Sequence, residues 1–238
     1  MALLDSSQSG TAMAPLPYLS LYKEKMAFWA SYMLAQWGTA RALSIDQASL
    51  MQQESTSIRE QWSYGIPTES ALALIGKHAP MKKVVELAAG NGLWSAMLRT
   101  RGVHALTFDT KAYDEAYGAA DAAGVSAGAE MMGERDKAVQ EGGPEVAGSH
   151  GDRALLLVWP DYNGQGSYAL RCLEHYQGTT LLLVGEWKGR TLAPLAGGRA
   201  FSAAFQDAVE ASFDRIEEAA LPSWPLHLDG LSVWKRKA

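Results

Sequence analysis

The chain has one cysteine, Cys172, in 238 residues. No internal disulfide can form, so it does not read as a stapled secreted domain. No run of about 18 apolar residues occurs, which leaves no candidate membrane span. Basic excess is also missing: 21 basic and 26 acidic side chains give a net charge of −5, the reverse of what a nucleic-acid-binding face requires. Basic clusters are confined to Lys82-Lys83 and Lys235-Arg236-Lys237, short runs that read as solvated surface. Five scattered histidines show no metal-ligand spacing. Ser63, Ser95 and Ser167 lack a nucleophile-elbow context. Residues 1–17 have neither the basic start of a signal peptide nor the arginines of a transit peptide. The expectation is a cytoplasmic protein with no nucleic-acid, membrane or metal partner.

The apolar content of 47% is that of a globular core, and the length suits one domain with an extension. Residues 1–17 are small and polar, with Pro15 and Pro17, and read as a disordered lead. From there Leu19, Tyr22, Met26, Trp29, Met33 and Trp37 recur at spacings of three and four, which predicts a helix ending near Gly38. Ser44-Ile45-Asp46-Gln47 has capping-box spacing and opens a second helix toward Trp62. Gly65 and Pro67 break the pattern. Thr68 then caps a short helix from Glu69 to about Gly76. Residues 18–80 are therefore expected to form an N-terminal helical cap.

Residues 81–238 alternate strands and helices. Short apolar strands are predicted at Val84–Leu87, Val103–Phe108, Ala154–Trp159 and Leu181–Glu186, with a small one at Lys137–Glu141. Helices are predicted at Leu93–Arg101, Gly166–Gln177 and Ala200–Ala211. A short helix and loose loop are expected within 112–130, which hold eight alanines and three glycines. Phe213–Leu221 and Leu228–Lys235 pattern as a closing antiparallel pair. Continuous apolar strands separated by helices predict an α/β fold, a mostly parallel sheet covered on both faces. Ligands bind such sheets at the carboxyl ends of the strands.

The stretch from Val84 to Trp94 carries the chemistry. It is a strand with Glu86 near its end, a small-residue turn containing Gly90 and Gly92, and a helix start. Asp109 ends the next strand, where an acid can accept from ribose hydroxyls. A dinucleotide fingerprint needs a third glycine, and Ser95 stands in its place. A carboxylate beside the turn suits a cationic cofactor without phosphate, and S-adenosyl-L-methionine (SAM) fits.

This pattern resembles the class I, Rossmann-like, SAM-dependent methyltransferases. Tyr64-Gly65-Ile66-Pro67, Glu86 to Trp94, Leu155 to Tyr162, Val184-Gly185-Glu186 and Pro222-Ser223-Trp224-Pro225 resemble, in order, motifs of one little-characterised branch, with E-x-G-A-G-x-G-x-W and W-P-P-Y signatures. The likeness covers about residues 60–238. It implies a seven-stranded sheet with a final antiparallel strand, and SAM as cofactor. It places Glu86 near the methionine part, Gly90 and Gly92 under the cofactor, where Ala88 leaves slightly less room, Asp109 at the ribose, and Asn91, Trp94 and Thr110 among the cofactor-binding residues. Tyr64, Pro67, Trp159 and Pro160 are placed at the same pocket, and Asp161 and Tyr162 become the candidate catalytic residues. Two departures stand out: Ala88 replaces the usual first glycine, and Asp161 the second proline of W-P-P-Y. The function implied is methyl transfer to a small-molecule acceptor. A non-catalytic binding module of the same fold and an NAD-dependent oxidoreductase are the alternatives. Trp94, Trp159, Glu186 and His227 each have a plain structural reading beside the functional one.

Overall fold

Leu155, Leu156 and Leu157 are apolar in succession, a pattern that only a strand covered on both faces can hide. In the computed structural model they lie in such a strand. The structure describes residues 16–37, 45–110, 136, 138–161, 164–192 and 198–238. Three helices come first: α1 (Pro17–Trp37), α2 (Ile45–Gln61) and α3 (Glu69–His78). The sheet region follows, with β1 (Lys83–Leu87), α4 (Leu93–Arg99), β2 (His104–Asp109), β3 (Val139–Glu141), β4 (Ala154–Val158), α5 (Tyr168–His175), β5 (Thr180–Gly185), α6 (Ala203–Ser212), β6 (Phe213–Ala220) and β7 (Gly230–Arg236).

The seven strands are ordered β3-β2-β1-β4-β5-β7-β6. The first five strands pair in parallel, and β7 runs antiparallel between β5 and β6. The expected mostly parallel sheet and its closing antiparallel pair are thus both present. Every residue of β4 and β5 is buried. Strand order reverses between β1 and β4, so the chain leaves these neighbours in opposite directions and opens a crevice at their carboxyl ends. The expected helix and loop within 112–130, and Ser44 of the capping box, lie outside the described residues.

Local chemistry accounts for the element ends. Thr68 caps α3, its Oγ1 accepting from the Ala71 N–H at 3.1 Å, with Glu69 in the first turn and Lys77 and His78 in the last. Pro17 opens α1, so the expected lead gives way to helix there.

The N-terminal helices have a core of their own. Tyr18, Trp29, Met51, Trp62 and Ile66 bury against Trp224, with Leu19, Tyr22 and Met26 packed at the margin. The described part of the aromatic stripe is therefore packing. Tyr18 stacks on Trp62 with ring centroids 5.5 Å apart and receives the Trp224 indole N–H at 2.9 Å. Burying rings of this size contributes roughly 2–3 kcal/mol each, which fastens α1 and α2 onto the turn before β7.

Candidate functional site

Two carboxylates hold the turn between β1 and α4. Glu86 is buried, and its Oε2 accepts from the Ser95 N–H at 3.0 Å. Burial pushes its pKa up to about 7, against the opposing hydrogen bond from Ser95. Asp109, at the end of β2, accepts from the Gly90 N–H at 2.8 Å. Ala88, Gly90 and Gly92 all have left-handed backbone, with φ of 55°, 54° and 73°. A Cβ added at Gly90 meets nothing within 4 Å, so a ligand has room there. One added at Gly92 would lie 2.7 Å from Val139 Cγ2. The close approach that Gly92 permits is to Val139 at the start of β3 and to Asp136 just before it. The Asn91 amide donates to the Gln61 carbonyl, tying the turn to the end of α2.

The Tyr64–Pro67 loop docks onto the same edge. A Cβ at Gly65 would sit 2.7 Å from Val184 Cγ1, so only glycine fits against β5. Trp94 is 1% exposed and donates its indole N–H to the Gly65 carbonyl at 3.2 Å. It fastens this loop to α4, which corrects its assignment as a cofactor contact. Ile66 and Pro67 are buried and offer no surface to a ligand. Tyr64 is half-buried and stacks on Trp159 at 5.6 Å.

Trp159 directly follows β4 with φ of 49°, a left-handed conformation rare for a bulky residue. Its N–H donates to the Val184 carbonyl at 3.0 Å, its indole N–H donates to Asp229 at 2.8 Å, and its ring meets His227 edge-on at 5.3 Å. Trp159 thus marks the edge while its ring is spent on neighbours. Pro160 is half-buried beside it.

Asp161 departs from the catalytic role expected for it. It is 1% exposed, and its two oxygens accept from the Ala169 and Ser202 N–H groups, each at 3.2 Å. It caps α5 and braces the start of α6, so it is scaffolding. Tyr162, the other catalytic candidate, lies outside the described residues. Thr110 is exposed and lines a cavity of about 570 Å³ with Glu141, Pro144, Glu145, Tyr168 and Arg171.

No family model and no curated protein matches this chain. Solved structures are similar at low identity. Burkholderia thailandensis 1,6-didemethyltoxoflavin-N1-methyltransferase, with 1,6-didemethyltoxoflavin and S-adenosylhomocysteine bound, is 16% identical, covering 84% of this chain and 93% of that one, with a TM-score of 0.44. Magnesium protoporphyrin IX methyltransferase from Synechocystis PCC 6803 is 12% identical, covering 89% and 97%, with a TM-score of 0.43. The O-methyltransferase TomG of Streptomyces achromogenes is 13% identical, covering 89% and 98%, with a TM-score of 0.43.

Glu186 and His227, open between a structural and a functional reading in the sequence, belong to a buried polar network at the ends of β4, β5 and β7 whose other members, Arg59 and Asp229, the sequence did not single out. Arg59 of α2 is 4% exposed and donates to His227 Nε2 at 2.8 Å and to Thr56 Oγ1 at 3.2 Å. Its guanidinium lies over the Tyr64 ring at 5.2 Å. An arginine only donates, so His227 Nε2 accepts and Nδ1 carries the proton. Glu186, fully buried, accepts from Leu228 N–H, Arg199 N–H and Thr191 Oγ1. Burial alone would raise its pKa, but His227 and these backbone donors outweigh it and hold the carboxyl low. Burial keeps His227 neutral by lowering its pKa, and pushes Asp229 up to about 7. One signal was available: Met51, Ser55, Arg59 and Trp62 follow helical spacing and all face inward.

Proposed function

We propose that this chain transfers the methyl group of SAM to a small-molecule acceptor. The observation that carries the reading is the turn after β1, held by Glu86 and Asp109 with the face of Gly90 left open. A pyrophosphate needs free N–H groups at such a turn. Here the Ser95 and Gly90 N–H groups are already taken by the side chains of Glu86 and Asp109. A nucleoside cofactor bearing sulfonium and ammonium groups and no phosphate meets favourable charge at the same place. This weighs against the NAD-dependent alternative, as does Ser95 in place of a third glycine.

SAM, when bound, supplies an electrophilic methyl carbon for in-line attack by the acceptor. The chain's part is to bind, orient and exclude water. Asp109 would hold the ribose and keep the Gly90 backbone in place. The loop bearing Tyr64, with Trp159, would wall the pocket. Helices α1 and α2 would cover the acceptor side and set substrate choice. Deprotonation by Asp161 is not part of this scheme, because both of its oxygens already hold backbone N–H groups.

Calorimetric titration with SAM, S-adenosylhomocysteine and NAD tests the proposal. SAM and S-adenosylhomocysteine are expected to bind and NAD is not. Asp109→Ala removes a charged hydrogen-bonding group and is expected to weaken SAM roughly ten- to hundredfold, about 1.5–3 kcal/mol. Tight NAD binding without SAM binding overturns the cofactor class. SAM binding without turnover on any acceptor would favour the non-catalytic module.

A further inference from the structure

Three buried nitrogens in one neighbourhood have no hydrogen-bond partner among the described residues: Arg59 Nε, His227 Nδ1 and Arg199 Nη1. His227 links them. Arg59 Nη1 lies 2.8 Å from its Nε2, and the backbone N–H groups of Arg199 and of Leu228, the residue after His227, each donate to one oxygen of Glu186. With the proton on Nδ1, all three are donors, and leaving a buried donor unpaired is unfavourable. The nearby acids reach these atoms at ion-pair distance at most. Both Glu186 oxygens accept from other groups, and its Oε1 stays 3.8 Å from His227 Nδ1, beyond hydrogen-bond distance. Asp229 is engaged with the Trp159 indole, and burial favours its neutral form.

We infer that Arg59, hydrogen-bonded to His227, and Arg199, hydrogen-bonded to Glu186, receive a carboxylate carried by the acceptor. The inference rests on the methyl-transfer reading and names the acceptor class for it. Position in the sheet assigns the cluster to the acceptor. His227 precedes β7, which lies three strands from β1 in the order β1-β4-β5-β7. Strand spacing makes that roughly 14 Å from the Gly90 turn. Arg59 comes from the cap helix α2 and Arg199 from the segment before α6, so a bound carboxylate would bridge cap and core. Trp159 and Tyr64 lie against the cluster and wall it with aromatic surface.

The test uses the full chain saturated with S-adenosylhomocysteine and titrated with benzoate and indole-3-acetate, with benzamide and indole-3-acetamide as matched neutral probes. At least one acid is expected to bind more tightly than its amide. Arg59→Met and Arg199→Met are each expected to weaken that acid roughly ten- to hundredfold, with SAM affinity kept within about twofold. Amides binding as well as acids, no acid binding, or full acid affinity in a folded Arg59→Met protein would each overturn the inference. So would a loss of SAM affinity in Arg59→Met with acid binding retained, because the guanidinium would then serve the cofactor's own carboxylate. If Arg59→Met does not fold, Arg199→Met and the acid-to-amide ratio of the unaltered protein decide. Acid binding to a protein that fails to bind SAM keeps the anion site and removes the methyl-transfer reading.

Discussion

Replacing Glu86 by glutamine is expected to stabilise the protein at alkaline pH and flatten its pH dependence. The carboxyl is 1% exposed, and burial raises its pKa from 4.5 to about 7. Arg99 and Asp109 are the charged groups whose influence reaches it, with opposite signs. An acid with a raised pKa in the folded state binds its proton more tightly there than in the unfolded chain. Its contribution is therefore fully present below pH 4.5 and is lost as pH rises to about 7. The difference corresponds to about 3 kcal/mol, close to 1.4 kcal/mol per pH unit inside the window. Glutamine does not ionise and keeps a carbonyl oxygen for the Ser95 N–H.

Urea unfolding of both proteins between pH 5 and pH 8 measures this directly. The difference in unfolding free energy between glutamine variant and parent is expected to rise with pH in the variant's favour by about 2–3 kcal/mol, levelling off above about pH 7. Comparing the two proteins cancels the other titrating groups, among them Asp229, whose raised pKa acts with the same sign, and His227, whose lowered pKa acts with the opposite one. A difference that stays constant across the range would refute the claim that Glu86 is a buried acid fixed beneath α4. A difference that falls with rising pH would mean that its charged form is the one the fold prefers.

Ala88→Gly relieves a left-handed alanine, worth about 1–2 kcal/mol, against about 0.4–1 kcal/mol of added unfolded-chain entropy; a net gain of up to about 1.5 kcal/mol is expected in chemical denaturation. Gly92→Ala drives a Cβ to 2.7 Å from Val139 Cγ2 in a left-handed position, and a loss of about 2 kcal/mol or more is expected. Gly90→Ala meets open space, so its stability loss is expected to stay near 1 kcal/mol while SAM affinity falls in calorimetry. Asp161→Asn turns an amide toward a backbone N–H and is expected to lower stability by about 1–3 kcal/mol; unchanged stability with lost turnover would return Asp161 to the catalytic set.

The sheet was legible because its signal is composition. Strands such as Leu181–Val184 are apolar at every position, and only burial on both faces explains that. The turn after β1 was legible because glycines and an acid in that order have few other uses. The roles of individual motif residues were less accessible. Trp94, Asn91, Gly92 and Asp161 fall in motifs that read as ligand-binding or catalytic, yet each is engaged with the chain itself. What separates the roles is which partner a donor meets across 29 residues of sequence, as between Trp94 and Gly65. No local pattern encodes that meeting. The Arg59–His227 contact spans 168 residues and was out of reach for the same reason.

Two of the five non-glycine residues with positive φ among the described residues stand at the crevice of the open glycine. Ala88 is the first residue after β1 and Trp159 the first after β4, and both have positive φ without being glycine. These are the two strands between which the sheet order reverses. Left-handed backbone at both points turns the two chains away from the strand direction together, which opens the crevice between them. Such conformations disfavour the fold by about 1–3 kcal/mol each and persist only where neighbours over-determine them. For Ala88 the neighbour is β2, whose Phe108 carbonyl accepts from the Ala89 N–H at 3.1 Å. For Trp159 the restraints are the Val184 carbonyl, Asp229 and the stacked Tyr64. Asp229 is itself fully buried, and its indole partner is the one hydrogen bond offsetting that burial. A buried acid is an expensive device for packing a tryptophan that an apolar side chain could support, so its presence argues that the position of Trp159, more than the stability it brings, is what the fold preserves.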